Sequence, residues 1–178
     1  MAHEQVSRLV AGLLGDLGPR ARTAGLSVLE LGSYNVNGDV RGLFGPVARY
    51  VGVDWRGGPG VDHVGLFHEL TWVDAFDFLI SVNTFEHDPY WELSIDAGIR
   101  ALKPGGELIL IAAGPGYPAH EVHCAPPGPP SGEYYGNIDP LAFAERIVAN
   151  NVAGILTKFT EPPDVLFHGR KRSAPHAG

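Results

Sequence analysis

The sequence is poor in several features, and each scarcity argues against a class of protein. Its 178 residues include one cysteine, Cys124, so no internal disulfide can form and we expect the reducing cytoplasm as its compartment. No apolar run approaches the roughly 18 residues that cross a bilayer, so we expect no membrane partner. Positive charge is also scarce, because the formal net charge is −7. A surface that follows nucleic-acid phosphates is therefore not expected.

What the sequence has is an alternation of apolar runs with helical or turn-rich segments, over a length that suits one domain, residues 1–178. Residues 1–18 carry apolar side chains at helical spacing, which predicts a packed N-terminal helix instead of a signal peptide. Further helices are predicted at 89–102 and 139–150, and strands at 27–31, 50–54, 61–65, 76–82, 107–113, 153–160 and 165–169. Apolar strands separated by helices are typical of a parallel sheet covered on both faces, so the fold class is α/β.

Two segments are predicted to be irregular. Residues 114–138 are rich in proline and glycine, and a long insert after a central strand of an α/β sheet is more often functional than idle. Residues 170–178 are expected to form a flexible tail.

The stretch VLELGSYNVNG has the form of a buried strand entering a nucleotide-binding turn, but most of the usual glycines are missing. Tyr34 and Asn37 stand where GxGxxG would place glycines, and there is no P-loop lysine. Glu30 would repel a pyrophosphate, whereas it suits a ligand with an ammonium or sulfonium cation. Asp54 ends a second strand 22 residues after Gly32, where a carboxylate can accept hydrogen bonds from a ribose diol. A NAD-linked or nucleotide-sugar Rossmann enzyme is therefore the weaker interpretation.

Taken together, these residues resemble the class I S-adenosylmethionine-dependent methyltransferases. The resemblance rests on VLELGS, YVGVD, FDFLISVNTFEHDPYW and GIRALKPGGELILIAAGPG, which span about residues 26–116 in the family's order. The loop GSYNVNG is similar to a branch of the family with GSY-x-x-NG in place of a glycine-rich turn. The resemblance implies a Rossmann-like three-layer sandwich with a mostly parallel seven-stranded sheet and an antiparallel closing strand. It also implies an enzyme that uses S-adenosylmethionine to methylate an oxygen or nitrogen of a small-molecule acceptor.

The resemblance further assigns ten residues to the cofactor. Asp54 would hold the ribose hydroxyls and Trp55 would cover the adenine. Phe67 and His68 stand where the family often places an acid for the adenine amine. The other six would line the methionine end, border it, or approach the sulfonium: Glu30, Gly32, Ser33, Asn37, Ser81 and Asn83.

Three histidines are candidates for a general base, which helps when the acceptor is a hydroxyl or a protonated amine. His87 belongs to an EH motif and could act as the base or hydrogen-bond across a strand-helix junction. His120 and His123 lie on the 114–138 insert, where an acceptor would lie. Four residues near them in sequence could shape the acceptor pocket: Tyr117, Glu121, Tyr134 and Tyr135.

The segment HEVHC, residues 120–124, also allows a metal interpretation. HExH is not HExxH, and no second cluster in the sequence completes a tetrahedral set, so we predict no metal site. The main alternative to an active enzyme is a cofactor-binding or assembly protein that keeps this fold without the chemistry. The sequence leaves the oligomeric state open.

Overall fold

The computed structural model describes residues 4–17, 25–36, 38–120, 133–159 and 161–173, which form a seven-stranded sheet with helices on both faces. The helices are α1 (Glu4–Leu17), α2 (Trp91–Ala101) and α3 (Pro140–Ala149). The strands are β1 (Ser27–Leu31), β2 (Arg49–Asp54), β3 (His63–Val64), β4 (Phe76–Val82), β5 (Leu102–Ala113), β6 (Val152–Lys158) and β7 (Asp164–Lys171). None of the described helices has the length and apolar character needed to span a bilayer.

The strand order is β3-β2-β1-β4-β5-β7-β6. Strands β1 to β5 pair in parallel, while β7 pairs antiparallel with both β5 and β6. The predicted α/β fold, with a mostly parallel seven-stranded sheet and an antiparallel closing strand, is confirmed.

Alternate residues of the central strands fill two separate cores. In β1, Leu29 and Leu31 join the core beneath α2 and α3, whereas Val28 joins the core beneath α1. Burying each such side chain stabilises the fold by about 1.5–3 kcal/mol. The helix α1 meets its core with residues four apart in sequence, which lie on one helical face: Val6, Val10 and Leu14.

The junction of α2 and β5 differs from the sequence prediction. The segment Lys103-Pro104-Gly105-Gly106 was expected to separate a helix from a strand beginning at 107. Instead α2 ends at Ala101 and β5 begins at Leu102. The segment forms an irregularity inside β5, where the register with β4 passes from Phe76↔Leu102 to Phe78↔Glu107. The breakers interrupt the ladder without ending the strand.

The remaining elements lie close to their predicted positions. The Asp139 carboxylate accepts hydrogen bonds from the backbone amides of Leu141 and Ala142 at 2.9 Å, which makes it the N-cap of α3 and is worth about 1 kcal/mol. Strand β7 extends to Lys171, two residues into the segment assigned to the tail. Residues 114–120 and 133–138 of the insert contain no helix or strand, and residues 121–132 lie outside the described chain.

Candidate functional site

A cleft opens at the carboxyl ends of β1, β2 and β4. The chain moves outward from β1 to β3 and returns to β4 on the other side of β1, which creates the switch point where α/β folds bind ligands. Seven predicted site residues meet in its lining: Gly32, Asp54, Trp55, Phe67, His68, Asn83 and His87. Six more lining residues carried no prediction: Tyr34, Leu66, Thr84, Asp88, Pro89 and Tyr90.

The loop after β1 is held by the turn that follows β2. The Asn35 amide donates to the Pro59 carbonyl at 2.8 Å, and the Tyr34 ring lies against Gly58. A Cβ on Gly58 would lie 1.9 Å from that ring, and one on Gly60, at φ +87°, would lie 2.4 Å from the Ser33 carbonyl oxygen. The close approach of loop and turn therefore depends on Gly58 and Gly60 of the turn, whereas the loop itself contributes Gly32, whose φ is +81° and whose Cβ position is filled by Thr84.

Asp54 is fixed at the tip of β2. Its Oδ2 accepts the Tyr34 amide at 3.3 Å, and its Oδ1 accepts the Arg56 amide at 3.2 Å. Burial raises the pKa of Asp54, and these two amides lower it in part. Trp55 is 53% exposed beside it, with the Arg56 guanidinium 4.0 Å from the centre of its ring. The arrangement presents a fixed carboxylate next to an aromatic surface.

Three predicted cofactor residues lie outside the cleft lining. Glu30 is 6% exposed and accepts the Tyr50 hydroxyl at 2.9 Å on the α1 side of the sheet. Burial raises its pKa to about 7, against the opposing effects of the Tyr50 hydrogen bond and the Arg41 charge. The Ser81 hydroxyl donates to the Leu31 carbonyl at 2.9 Å. The Ser33 hydroxyl is buried with no hydrogen-bond partner among the described residues.

Asn83 is held in a strained conformation at the end of β4. Its φ of +46° is in the left-handed region, which asparagine tolerates better than most residues. Its side-chain nitrogen donates to Asp164 Oδ1 at 3.1 Å. Positions of this kind are frequent at ligand sites, where surrounding structure enforces them.

A cluster of aromatic rings lies beside the cleft, on the side of the insert. The centre of the His87 ring lies 5.1 Å from that of His120 and 5.3 Å from that of Tyr135. The Tyr117 ring lies 5.3 Å from His120. Burial, followed by the His120 charge, lowers the pKa of His87 to about 4, so this imidazole is neutral at pH 7. Two of the three predicted histidines thus come together; His123, like Asn37, lies outside the described residues.

His120 is 7% exposed and oriented by its own loop. Its Nδ1 lies 3.0 Å from the Pro118 carbonyl oxygen. Because a carbonyl only accepts, we assign a proton to Nδ1, and the tautomer with this proton alone has its lone pair on Nε2.

Glu86 is a further site residue for which the sequence carried no prediction. It is fully buried, and neither carboxylate oxygen makes a hydrogen bond within the described chain. Burial raises its pKa to about 7; the amides of Glu86 and Ala113 oppose that rise without reaching hydrogen-bond geometry. Ligand atoms of Glu86, His87 and His120 lie within 4.8 Å of one another. The signal was an acidic residue in the short turn that follows the apolar strand β4, where only its neighbour His87 was considered.

No protein-family model matches the chain, and no curated protein matches it in sequence. Its fold, however, is shared by many solved structures. An S-adenosylmethionine-dependent methyltransferase from Mesorhizobium loti aligns with a TM-score of 0.65 and 15% identity, over 89% of this chain and 96% of the other. The 1,6-didemethyltoxoflavin-N1-methyltransferase of Burkholderia thailandensis, with bound S-adenosylhomocysteine, aligns with a TM-score of 0.67 and 16% identity, over 94% and 78%.

A third structure with this fold carries a different activity in its name. The [4+2]-cyclase SpnF aligns with a TM-score of 0.64 and 11% identity, over 95% of this chain and 82% of the other. Identities this low establish the architecture alone. The predicted resemblance is confirmed at that level: the chain has the fold of the S-adenosylmethionine-dependent methyltransferases.

Proposed function

We propose that the protein binds S-adenosylmethionine and transfers its methyl group to a small-molecule acceptor. The observation that carries the proposal is Asp54, a buried carboxylate fixed at the tip of β2 on the wall of a largely apolar cleft. A carboxylate there suits two ribose hydroxyls and disfavours a phosphate. When bound, the cofactor would supply an electrophilic methyl group activated by a sulfonium cation.

The residues of the cleft fit such a ligand. Asp54 would accept the ribose hydroxyls, while Trp55, Phe67 and the His68 ring, which lies 4.6 Å from the Tyr90 ring, would form an apolar surface for the adenine. Ser33, whose buried hydroxyl lies outside the cleft lining, stays a prediction. Asn83 would border the methionine end. Glu30 and Ser81 lie outside the cleft lining, so they would support the loop after β1 and not contact the ligand. Asn37 stays a prediction.

Methyl transfer depends mainly on positioning, and a base is needed only for an acceptor that must lose a proton. His120 is suited to that role because Nδ1 is engaged by the Pro118 carbonyl and Nε2 keeps its lone pair. His87 and His123 stay candidates, although burial lowers the pKa of His87 to about 4 and so makes it the weaker base. The tyrosines Tyr117 and Tyr135 would shape the acceptor side.

Calorimetry and thermal unfolding with S-adenosylmethionine and S-adenosylhomocysteine test the cofactor. At 100 times the Kd, binding should stabilise the fold by about 2.7 kcal/mol. We expect Asp54→Asn to weaken binding of S-adenosylhomocysteine by about 10–100-fold, because it removes a charged acceptor of hydrogen bonds. The exposed Asp16→Asn on α1 is the control. Binding of NADH with none of S-adenosylmethionine would favour the dinucleotide interpretation instead.

A cofactor-binding protein that catalyses no methyl transfer is the second candidate, and the likeness to a [4+2]-cyclase favours keeping it. Labelled S-adenosylmethionine incubated with the protein and a cell extract separates the two. Labelled small-molecule products would support the enzyme. Tight cofactor binding without any labelled product would support the second candidate.

A further inference from the structure

The side chain of Glu86 is buried without a partner, and the proposed methyl transfer gives it no role. It is 0% exposed, and neither Oε1 nor Oε2 makes a hydrogen bond within the described residues. Removing a carboxylate from water costs several kcal/mol unless a cation or hydrogen-bond donors compensate. Because buried polar groups nearly always have partners, an unsatisfied carboxylate points to a ligand that completes it.

Two imidazole rings lie beside this carboxylate. The Nδ1 of His87 is buried without a hydrogen-bond partner among the described residues. The Nε2 of His120 is left as an acceptor, since the Pro118 carbonyl engages Nδ1. One ligand atom from each of Glu86, His87 and His120 lies within 4.8 Å of the other two. Tetrahedral ligands with metal bonds of 2.0–2.2 Å are separated by about 3.4 Å, so small side-chain rotations would close the set.

We propose that Glu86, His87 and His120 bind a divalent first-row transition metal ion such as Zn²⁺. Two neutral imidazoles and one carboxylate form a ligand set typical of open zinc sites, whereas Mg²⁺ and Ca²⁺ prefer oxygen ligands alone. The Nδ1 contact of His120 with a backbone carbonyl is the outer-shell hydrogen bond that orients a metal-binding histidine. The prediction of no metal site found no second cluster in the sequence to complete residues 120–124, whereas the fold brings Glu86 and His87 to His120.

An open coordination position would face the acceptor, because His87 also lines the cleft. A metal ion there would hold an acceptor oxygen and lower the pKa of its hydroxyl. His87 and His120 would then be ligands, and a separate base would be unnecessary. This role depends on the proposed methyl transfer, but binding of the metal does not.

The test is metal binding by the full chain. Protein treated with a chelator is dialysed against Zn²⁺ or Mg²⁺, and bound metal is counted by plasma mass spectrometry. We expect one Zn²⁺ per chain and no Mg²⁺. Glu86→Gln and His120→Ala should each lower the affinity for Zn²⁺ at least tenfold. The matched controls are Glu145→Gln, at an exposed acid on α3, and His168→Ala, on β7.

Zn²⁺ binding that is unchanged in both Glu86→Gln and His120→Ala would overturn the proposal, as would its absence in the unaltered chain. Circular dichroism of the metal-free variants checks that they fold. If Glu86→Gln does not fold, the comparison of His120→Ala with the unaltered chain decides the test. Calorimetry with S-adenosylhomocysteine on the same samples keeps the two proposals apart. Cofactor binding without Zn²⁺ binding rejects only the metal site, and the reverse rejects only the cofactor.

Discussion

Two buried glutamates, Glu30 and Glu86, have the same raised pKa and opposite surroundings. Burial brings each to about 7, and they are 6% and 0% exposed. Glu30 accepts a hydrogen bond from Tyr50, whose ring lies 4.5 Å from the Arg41 guanidinium carbon. Glu86 has no such donor in the described chain and has two histidines beside it instead. The Glu30 carboxylate is therefore satisfied by a side chain of the protein, whereas the Glu86 carboxylate is available to a ligand.

The largest effect is expected from Glu30, in how the free energy of unfolding depends on pH. Its pKa is about 7 in the folded protein against 4.5 ordinarily, so the folded state holds a proton that the unfolded state releases between these values. The free energy of unfolding should therefore fall as pH rises from about 4.5 to about 7, by up to about 3 kcal/mol from this group. Urea titrations with a chelator present should show a flatter profile for Glu30→Gln. Profiles of equal slope in the two proteins would contradict the assignment.

Removing the Tyr50 hydroxyl should have the next largest effect. Tyr50→Phe keeps the ring beneath Arg41 but takes the donor from Glu30. We expect a loss of about 1–3 kcal/mol in the free energy of unfolding at pH 8, and a smaller loss at pH 5, where Glu30 is protonated. Tyr90→Phe, at a tyrosine that is 54% exposed, is the control and should change stability by less than about 0.5 kcal/mol. Equal losses in both variants would mean that Glu30 does not depend on Tyr50.

The smallest effect is expected at Glu86. In metal-free protein, Glu86→Gln should leave the free energy of unfolding unchanged or raise it by up to about 1 kcal/mol, because it removes a buried carboxylate that makes no hydrogen bond within the described residues. Chemical unfolding at pH 7.5 measures the difference. A loss above about 2 kcal/mol would show that Glu86 is completed by the protein itself, as Glu30 is.

Local patterns were sufficient for much of the fold. The strands at Ser27–Leu31 and Phe76–Val82 have the predicted bounds, because continuous apolar runs between breakers fit only buried strands in this context. Asp54 was placed at a strand tip by spacing alone, and it lies there. The prediction for Lys103-Pro104-Gly105-Gly106 was wrong because proline and glycine disfavour regular structure locally. They do not reveal whether the residues on both sides will pair with the same neighbouring strand.

The sequence by itself determined the layers, the strand tip that bears Asp54 and the absence of a glycine-rich loop after β1. Only the tertiary structure showed that glycines of another segment allow the close contact with this loop. Gly58 and Gly60 follow β2, and they contact the loop after β1 because these two strands pair in parallel. The tertiary structure also decided that Glu86 meets His120, 34 residues away. Strands β4 and β5 pair in parallel, with Val82 opposite Ile111, so the segments that follow them emerge side by side. Periodicity encodes burial, but side chains from separate loops meet only when the sheet has formed.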